Sequence, residues 1–128
     1  MAKYKKLHIL IVDDCIAIAK KLYELISENK LANVVGQAKS VRQGVHMAEE
    51  LNPDVVFLDI SLPDGSGMEV LQHLKKVKPS VKVIIFSNSV NDLYRRKFTE
   101  KGSDYVLDKS KDFTKVPEII SSIIESHE

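Results

Sequence analysis

Five short apolar runs rich in β-branched residues recur along this chain, each followed by a helical pattern, and that alternation restricts the fold more than any other feature. The runs are Leu7–Val12 (LHILIV), Val34–Ala38 (VVGQA), Val55–Leu58 (VVFL), Val81–Phe86 (VKVIIF) and Tyr105–Leu107 (YVL). VVFL and the VIIF of the fourth run are apolar throughout, as parallel strands are when helices cover both faces. Ile16, Ala19, Leu22, Tyr23 and Ile26 form one helical stripe; Val41, Val45, Ala48 and Leu51 form a second, and Val70, Leu71, Leu74 and Val77 a third. A weaker fourth helix is expected around Asn91–Lys101, with Leu93, Tyr94 and Phe98 as its large apolar groups. Phe113, Val116, Ile120, Ile123 and Ile124 mark a fifth. Asn52-Pro53 and Lys78-Pro79 stop the second and third helices, Gly102 suits a helix C-terminus, and Pro117 fits only in the first turn of the last helix. Such alternation implies a parallel sheet built by right-handed crossovers.

Composition removes several function classes. The 128 residues suit one domain, spanning 1–128, and no repeat, low-complexity tract or linker divides them. Lys plus Arg is 19 and Asp plus Glu 18, a net charge of +1 that argues against a general nucleic-acid binder. No apolar run approaches the ~20 residues of a membrane span, and MAKYKKLHIL lacks a secretory hydrophobic stretch. Cys15 is the single cysteine, so neither an internal disulfide nor a cysteine-based zinc cluster is available. A cytoplasmic protein is expected.

Open parallel sheets bind ligands beyond the carboxyl ends of their strands, where strand order reverses. Here strand 1 ends in Asp13-Asp14, strand 3 in Asp59 and strand 4 in Ser87, while strand 5 leads through Asp108 to Lys109. In a sheet of order 2-1-3-4-5 these ends share one rim. One Asp after a strand is ordinarily a cap or turn residue; carboxylates, a hydroxyl and an ammonium at the corresponding place on four strands form a constellation. Two carboxylates ~5 Å apart repel by roughly 3 kcal/mol at an effective dielectric near 20. Asp13, Asp14 and Asp59 against Lys109 leave two uncompensated negative charges, which a hard divalent cation would neutralise. Oxygen-only donors favour Mg²⁺ over zinc, with Mn²⁺ as a substitute. An Asp carboxylate can also act as a nucleophile and form an aspartyl phosphate. Asp59, closing the most apolar strand between the acidic pair and Lys109, is the candidate.

The pieces Ile11-Val12-Asp13-Asp14, Asp59-Ile60-Ser61-Leu62-Pro63 with Gly67, Ser87 and Lys109 resemble the receiver domain of two-component response regulators over essentially the whole chain. The resemblance implies a flavodoxin-like (CheY-like) α/β fold, a doubly wound (βα)5 with a five-stranded parallel sheet of order 2-1-3-4-5. It implies a phosphoryl group taken from a histidine kinase or phosphotransfer protein onto Asp59. It further implies Mg²⁺ held by Asp14, Asp59 and the backbone carbonyl of Ser61, with Asp13 one water removed, and Ser87 and Lys109 binding the phosphoryl oxygens. Three positions depart from the family's pattern. Ser110 follows the lysine where most receivers have Pro, Asn88 follows the switch hydroxyl where Ala or Gly is usual, and Val106 stands where many place an aromatic. Tyr105 is adjacent but faces the other way along a strand. Switching is expected through Ser87.

Ordinary readings cover most other candidates. His8, His46, His73 and His127 fall in four elements without partners at ligand spacing. Cys15, beside the acidic pair, is disfavoured as a thiolate. Arg95-Arg96-Lys97 reads as a solvated face, Phe113 and Val116 as core, and Ser61–Ser66 as a mobile active-site loop. The expected function is a stand-alone receiver, without an output domain, that signals by phosphorylation-dependent protein binding or by relay, the target docking on the face of helix 4, strand 5 and helix 5. It is not expected to be an enzyme beyond its own phosphoryl uptake and slow autodephosphorylation. A haloacid-dehalogenase-like phosphatase uses similar groups but puts a DxD nucleophile on its first strand, and Asp59-Ile60-Ser61 lacks the second acid. A flavin or nucleotide binder on this topology would meet repulsion from Asp13-Asp14. A phosphorylation-independent interaction module would leave the acidic set without a use.

Overall fold

The computed structural model describes residues 6–88 and 90–127, excluding the side chain of His127. In chain order the elements are β1 (Leu7–Val12), α1 (Ile16–Ser27), β2 (Ala32–Ala38), α2 (Val41–Leu51), β3 (Val55–Leu58), β4 (Ser61–Leu62), β5 (Gly65–Ser66), α3 (Gly67–Val77), β6 (Lys82–Ser87), α4 (Asp92–Glu100), β7 (Tyr105–Asp108) and α5 (Val116–His127). Five strands make one parallel sheet in the order β2-β1-β3-β6-β7. This is the expected 2-1-3-4-5 order, since β4 and β5 form a separate antiparallel ribbon. No helix among the described residues is long and apolar enough to cross a membrane.

Side-chain alternation splits the core in two, because successive strand residues face opposite sides of a sheet. Leu7, Ile9 and Ile11 of β1 pack with Leu22 of α1 and Ile120 of α5, whereas Leu10 and Val12 pack with Ala48 of α2 and Leu71 of α3. Phe57, Phe86 and Phe113 meet edge to face in sequence, at centroid separations of 6.3 and 4.8 Å, beneath the strand ends. Three helix starts have a local cap. Ser40, Ser66 and Asn91 accept the N–H of Gln43, Met68 and Tyr94 and so cap α2, α3 and α4. At the other end of α2, Asn52 adopts φ 47° ahead of Pro53. Pro117 is the second residue of α5, where its missing N–H has no intrahelical acceptor to lose.

Three apolar residues leave the stripes expected of them. Ile16, Tyr23 and Val77 are 64, 53 and 58% exposed. Ile16 opens α1 and Val77 closes α3, and Tyr23 lies about 100° round the helix from buried Leu22. The buried stripe of α1 is Ala19, Leu22 and Ile26.

Ser61–Ser66, expected as a mobile active-site loop, is instead a paired ribbon. Ser61 pairs with Ser66 and Leu62 with Gly65, Leu62 is buried, and the Gly67 N–H donates to the Ile60 carbonyl at 2.6 Å. The apolar Leu62 and the small Gly67 make this possible. A Cβ on Gly67 would stand 2.2 Å from the Asp59 carbonyl oxygen, so the chain can close here only on glycine. Gly67→Ala is therefore expected to destabilise the fold by about 1–3 kcal/mol through forced backbone displacement. A lowered urea midpoint with an unchanged slope is the measurement that checks it.

Candidate active site

The sheet's hydrogen-bond ladders continue one residue past β1, β3 and β7 and so set the rim. The N–H of Asp13 donates to Ala38, that of Asp59 to Val12 and that of Lys109 to Ser87, each at 2.9 Å. Side chains from four separate segments then converge. Ser87 Oγ donates to Asp59 Oδ1 at 3.0 Å, and Lys109 Nζ lies 3.1 Å from Asp59 Oδ2 and 2.7 Å from Asp13 Oδ2. Asp13, Asp59, Ser87 and Lys109 are buried, none more than 7% exposed. Asp14 stands exposed at the mouth, with carboxylate oxygens of Asp13, Asp14 and Asp59 all within 4.8 Å of one another. The Ser61 N–H approaches Asp59 Oδ1 at 3.4 Å, which keeps the start of the β4–β5 ribbon at the same mouth.

Burial and charge pull these groups in opposite directions. Removal from water pushes the Asp13 carboxyl up from its ordinary value, against the Lys109 bond and the Cys15 N–H that lower it. Burial likewise disfavours the Lys109 ammonium, but its bonds to Asp13 and Asp59 outweigh that, and its pKa is raised. Lys109 is thus a fixed cation holding two of three carboxylates. The remaining negative charge, presented by oxygens at one mouth, fits a hard divalent cation.

Lys109 is itself placed by a network that the spacing of DKSKDF could have signalled. Asp108 Oδ1 accepts the Ser110 N–H at 2.8 Å and its hydroxyl at 2.6 Å, an Asx turn that pins the bend where proline would otherwise stiffen it. Buried Asp112 accepts the Asp108 N–H at 2.8 Å and meets Lys115 at 3.1 Å and Arg95 at 3.7 Å. The Arg95 guanidinium also donates to the Val106 carbonyl. Arg96 and Lys97 are exposed, as expected of a solvated face, while half-buried Arg95 also ties α4 to β7 and to the loop that carries Lys109. The Asp108 carboxyl is lowered first by the Ser110 hydroxyl and then by its N–H. For Asp112, burial opposes ionisation, but the Asp108 N–H, Lys115 and Arg95 together hold it below the ordinary carboxylate range.

The other candidates lie apart from this cluster. His46 Nε2 lies 3.0 Å from Glu50 and His73 Nε2 3.3 Å from Glu49, while His8 is exposed. His127 falls outside the described side chains. Exposed Cys15 precedes α1 and gives its N–H to Asp13 Oδ1 at 2.8 Å. Val116 is core and Phe113 packs against it. Val106 is buried on the Phe98 side of the sheet, and Tyr105 packs on the opposite face.

The chain belongs to the response regulator receiver domain family, whose sequence pattern matches residues 9–121. It is 30% identical over 118 residues to an uncharacterized response regulatory protein of Vibrio cholerae serotype O1, covering 92% of this chain and 48% of that protein. To the nitrate/nitrite response regulator protein NarL of Escherichia coli K12 it is 34% identical over 89 residues, 70% of this chain and 41% of NarL. The chain thus spans about half the length, or less, of these curated relatives. The response regulator domain of Thermotoga maritima CheB superposes with a TM-score of 0.81 at 28% identity, over 94% of this chain and 96% of that one. A LuxR-family response regulator from Aurantimonas sp. SI85-9A1 gives 0.87 over 95% of this chain and 87% of that one, at 24% identity a likeness of fold. Receiver domains are signalling switches phosphorylated on an aspartate, and magnesium binding is typical of them.

The Asp112 network carries a pH signature. A carboxyl whose folded pKa lies below its unfolded one contributes stability above the unfolded value, and loses it as pH falls through the folded value. Asp112→Ala is expected to cost about 2 kcal/mol at neutral pH, most of it from the buried bond to the Asp108 N–H. That difference shrinks as pH falls below the ordinary carboxylate range of about 4 and the wild-type carboxylate protonates. Urea unfolding of both proteins at neutral and acid pH measures it; a pH-independent gap would remove the electrostatic part of the account.

Proposed function

We propose that Asp59 accepts a phosphoryl group from a phosphohistidine on a histidine kinase or phosphotransfer protein, and that the resulting charge is read by Ser87 and Lys109. In the transfer, a bond forms between an Asp59 Oδ and phosphorus while the phosphorus–nitrogen bond breaks, the imidazole leaving with its electron pair. The observation that carries the reading is the pair of donors already on Asp59: a hydroxyl on Oδ1 and an ammonium on Oδ2. Phosphoryl transfer needs mainly positioning and charge neutralisation, and both donors lie close enough to Asp59 to reach the oxygens an acyl phosphate would add. Phosphorylation takes the group from −1 to about −2, which strengthens its hold on Lys109 and draws Ser87 towards the phosphoryl. The donor set suits magnesium, or manganese in its place, held by Asp14, Asp59 and the Ser61 carbonyl with Asp13 through water. That ion would neutralise the transferring group's charge.

The chain's own chemistry is confined to this uptake and its slow hydrolytic reversal. Output is by protein binding or relay, through the face formed by α4, β7 and α5. What supports this face is Leu93 and Tyr94, 70 and 38% exposed on a helix that also grips the Lys109 loop through Arg95. An acyl phosphate shifts such a face only by contacts it makes better in one of two states, and the Arg95 link supplies a route from Lys109 to α4.

Incubation with Mg²⁺ and acetyl phosphate is expected to add one phosphoryl group per chain, and Asp59→Asn to abolish it, as read by intact mass. Turnover of phosphomonoesters, or modification surviving Asp59→Asn, would sink the assignment. Lys109→Ala is expected to keep Mg²⁺ binding while losing the amide shifts that beryllofluoride induces around α4. Wild-type-like shifts in that variant would count against the role given to Lys109.

A further inference from the structure

The β4–β5 ribbon begins with Ser61, the residue whose carbonyl the reading above gives to the metal. Two residue pairs cannot hold a ribbon's shape unaided, so its placement depends on what ties it down. Leu62, buried against the α2–α3 side of the sheet, secures the body of the ribbon. Its turn is secured elsewhere. Asp64 reaches across to α2, where Oδ1 accepts the Val41 N–H at 2.7 Å and Oδ2 the Arg42 N–H at 3.1 Å. These are the first two N–H groups of the helix, which have no acceptor within it. A carboxylate there also complements the helix dipole. The Arg42 and Val41 N–H groups hold the Asp64 carboxyl below its ordinary range.

Helix capping alone does not account for this arrangement. Ser40 already caps α2 locally, accepting the Gln43 N–H at 3.0 Å. The cap from Asp64 comes from more than 20 residues along the chain, so its distinctive consequence falls on the ribbon. We propose that Asp64 is a positioning residue for metal binding: by anchoring the ribbon's turn to α2, it holds the Ser61 carbonyl in register with Asp14 and Asp59. The inference rests on the receiver reading of the site and adds to it a residue that contacts neither metal nor phosphoryl group.

The test is calorimetric titration of the unphosphorylated chain with MgCl₂, alongside thermal unfolding. Asp64→Ala is expected to weaken Mg²⁺ binding roughly tenfold, the scale on which residues orienting a metal's ligands act. Ser40→Ala, which removes the local cap and leaves the ribbon tied, is expected to lower thermal stability and keep wild-type affinity. Asp64→Asn, which keeps one acceptor oxygen, should fall between wild type and Asp64→Ala. Wild-type affinity in Asp64→Ala, or an equal loss in Ser40→Ala, would overturn the inference while leaving the site intact. An Asp64→Asn loss as large as that of Asp64→Ala would assign the effect to charge and overturn it too. A wild type that binds no Mg²⁺, with Asp14→Asn indistinguishable from it, would overturn both this inference and the receiver reading.

Discussion

One ammonium set between two buried carboxylates organises this molecule's functional end. Lys109 touches Asp13 at 2.7 Å and Asp59 at 3.1 Å, and all three are buried. Charges so removed from water are tolerated only when paired. The pairing in turn demands the strand order: Asp13 follows β1, Asp59 follows β3 and Lys109 follows β7, so these strands must end at one level. The parallel registers of Val12 with Leu58, Leu58 with Ile85 and Ser87 with Asp108 provide that level. The apolar layers on either face of the sheet keep it there.

Around that cluster the fold supplies supports that lie outside it. The loop after β7 is bent by Asp108 and Ser110 and locked by Asp112, and the ribbon after β3 is closed on Gly67 and tied to α2 by Asp64. Both are exposed to solvent on one side and would otherwise be free to sample many conformations, because few buried apolar contacts hold them. Hydrogen bonds to backbone N–H groups confine them instead. Arg95 extends the first support into α4, whose only buried residue is Phe98. Phe98 and the Arg95 guanidinium are thus two of the contacts that join α4 to the sheet and to the Lys109 loop.

The two kinds of information in the chain differ in range. Five strands, their order and the rim residues were legible because apolar periodicity and strand-end chemistry are local patterns, and four such patterns in sequence carry a strong family likeness. The misplaced helix residues show the limit. Ile16, Tyr23 and Val77 obey helical spacing as well as their buried neighbours do, and only the length and width of each helix's contact with the sheet decide which lie outside it. Ser61–Ser66 read as a loop because its pairing is two residues long, too short for any alternation to show. Arg95 read as one of three like charges because nothing in its neighbourhood of the sequence marks the Val106 carbonyl or Asp112 as near.

Sequence alone determined the alternation of elements, the apolar character of the central strands and the presence of acids, hydroxyl and lysine at the strand ends, since each follows from the chemistry of adjacent residues. Only tertiary structure decided which oxygen of Asp59 meets Ser87 and which meets Lys109, that Asp64 caps a helix begun more than 20 residues earlier, and that Arg95 binds across to β7. Those contacts join segments far apart in the chain. Their geometry is set by how the sheet packs its helices, a property of the assembled core that no short stretch of sequence contains.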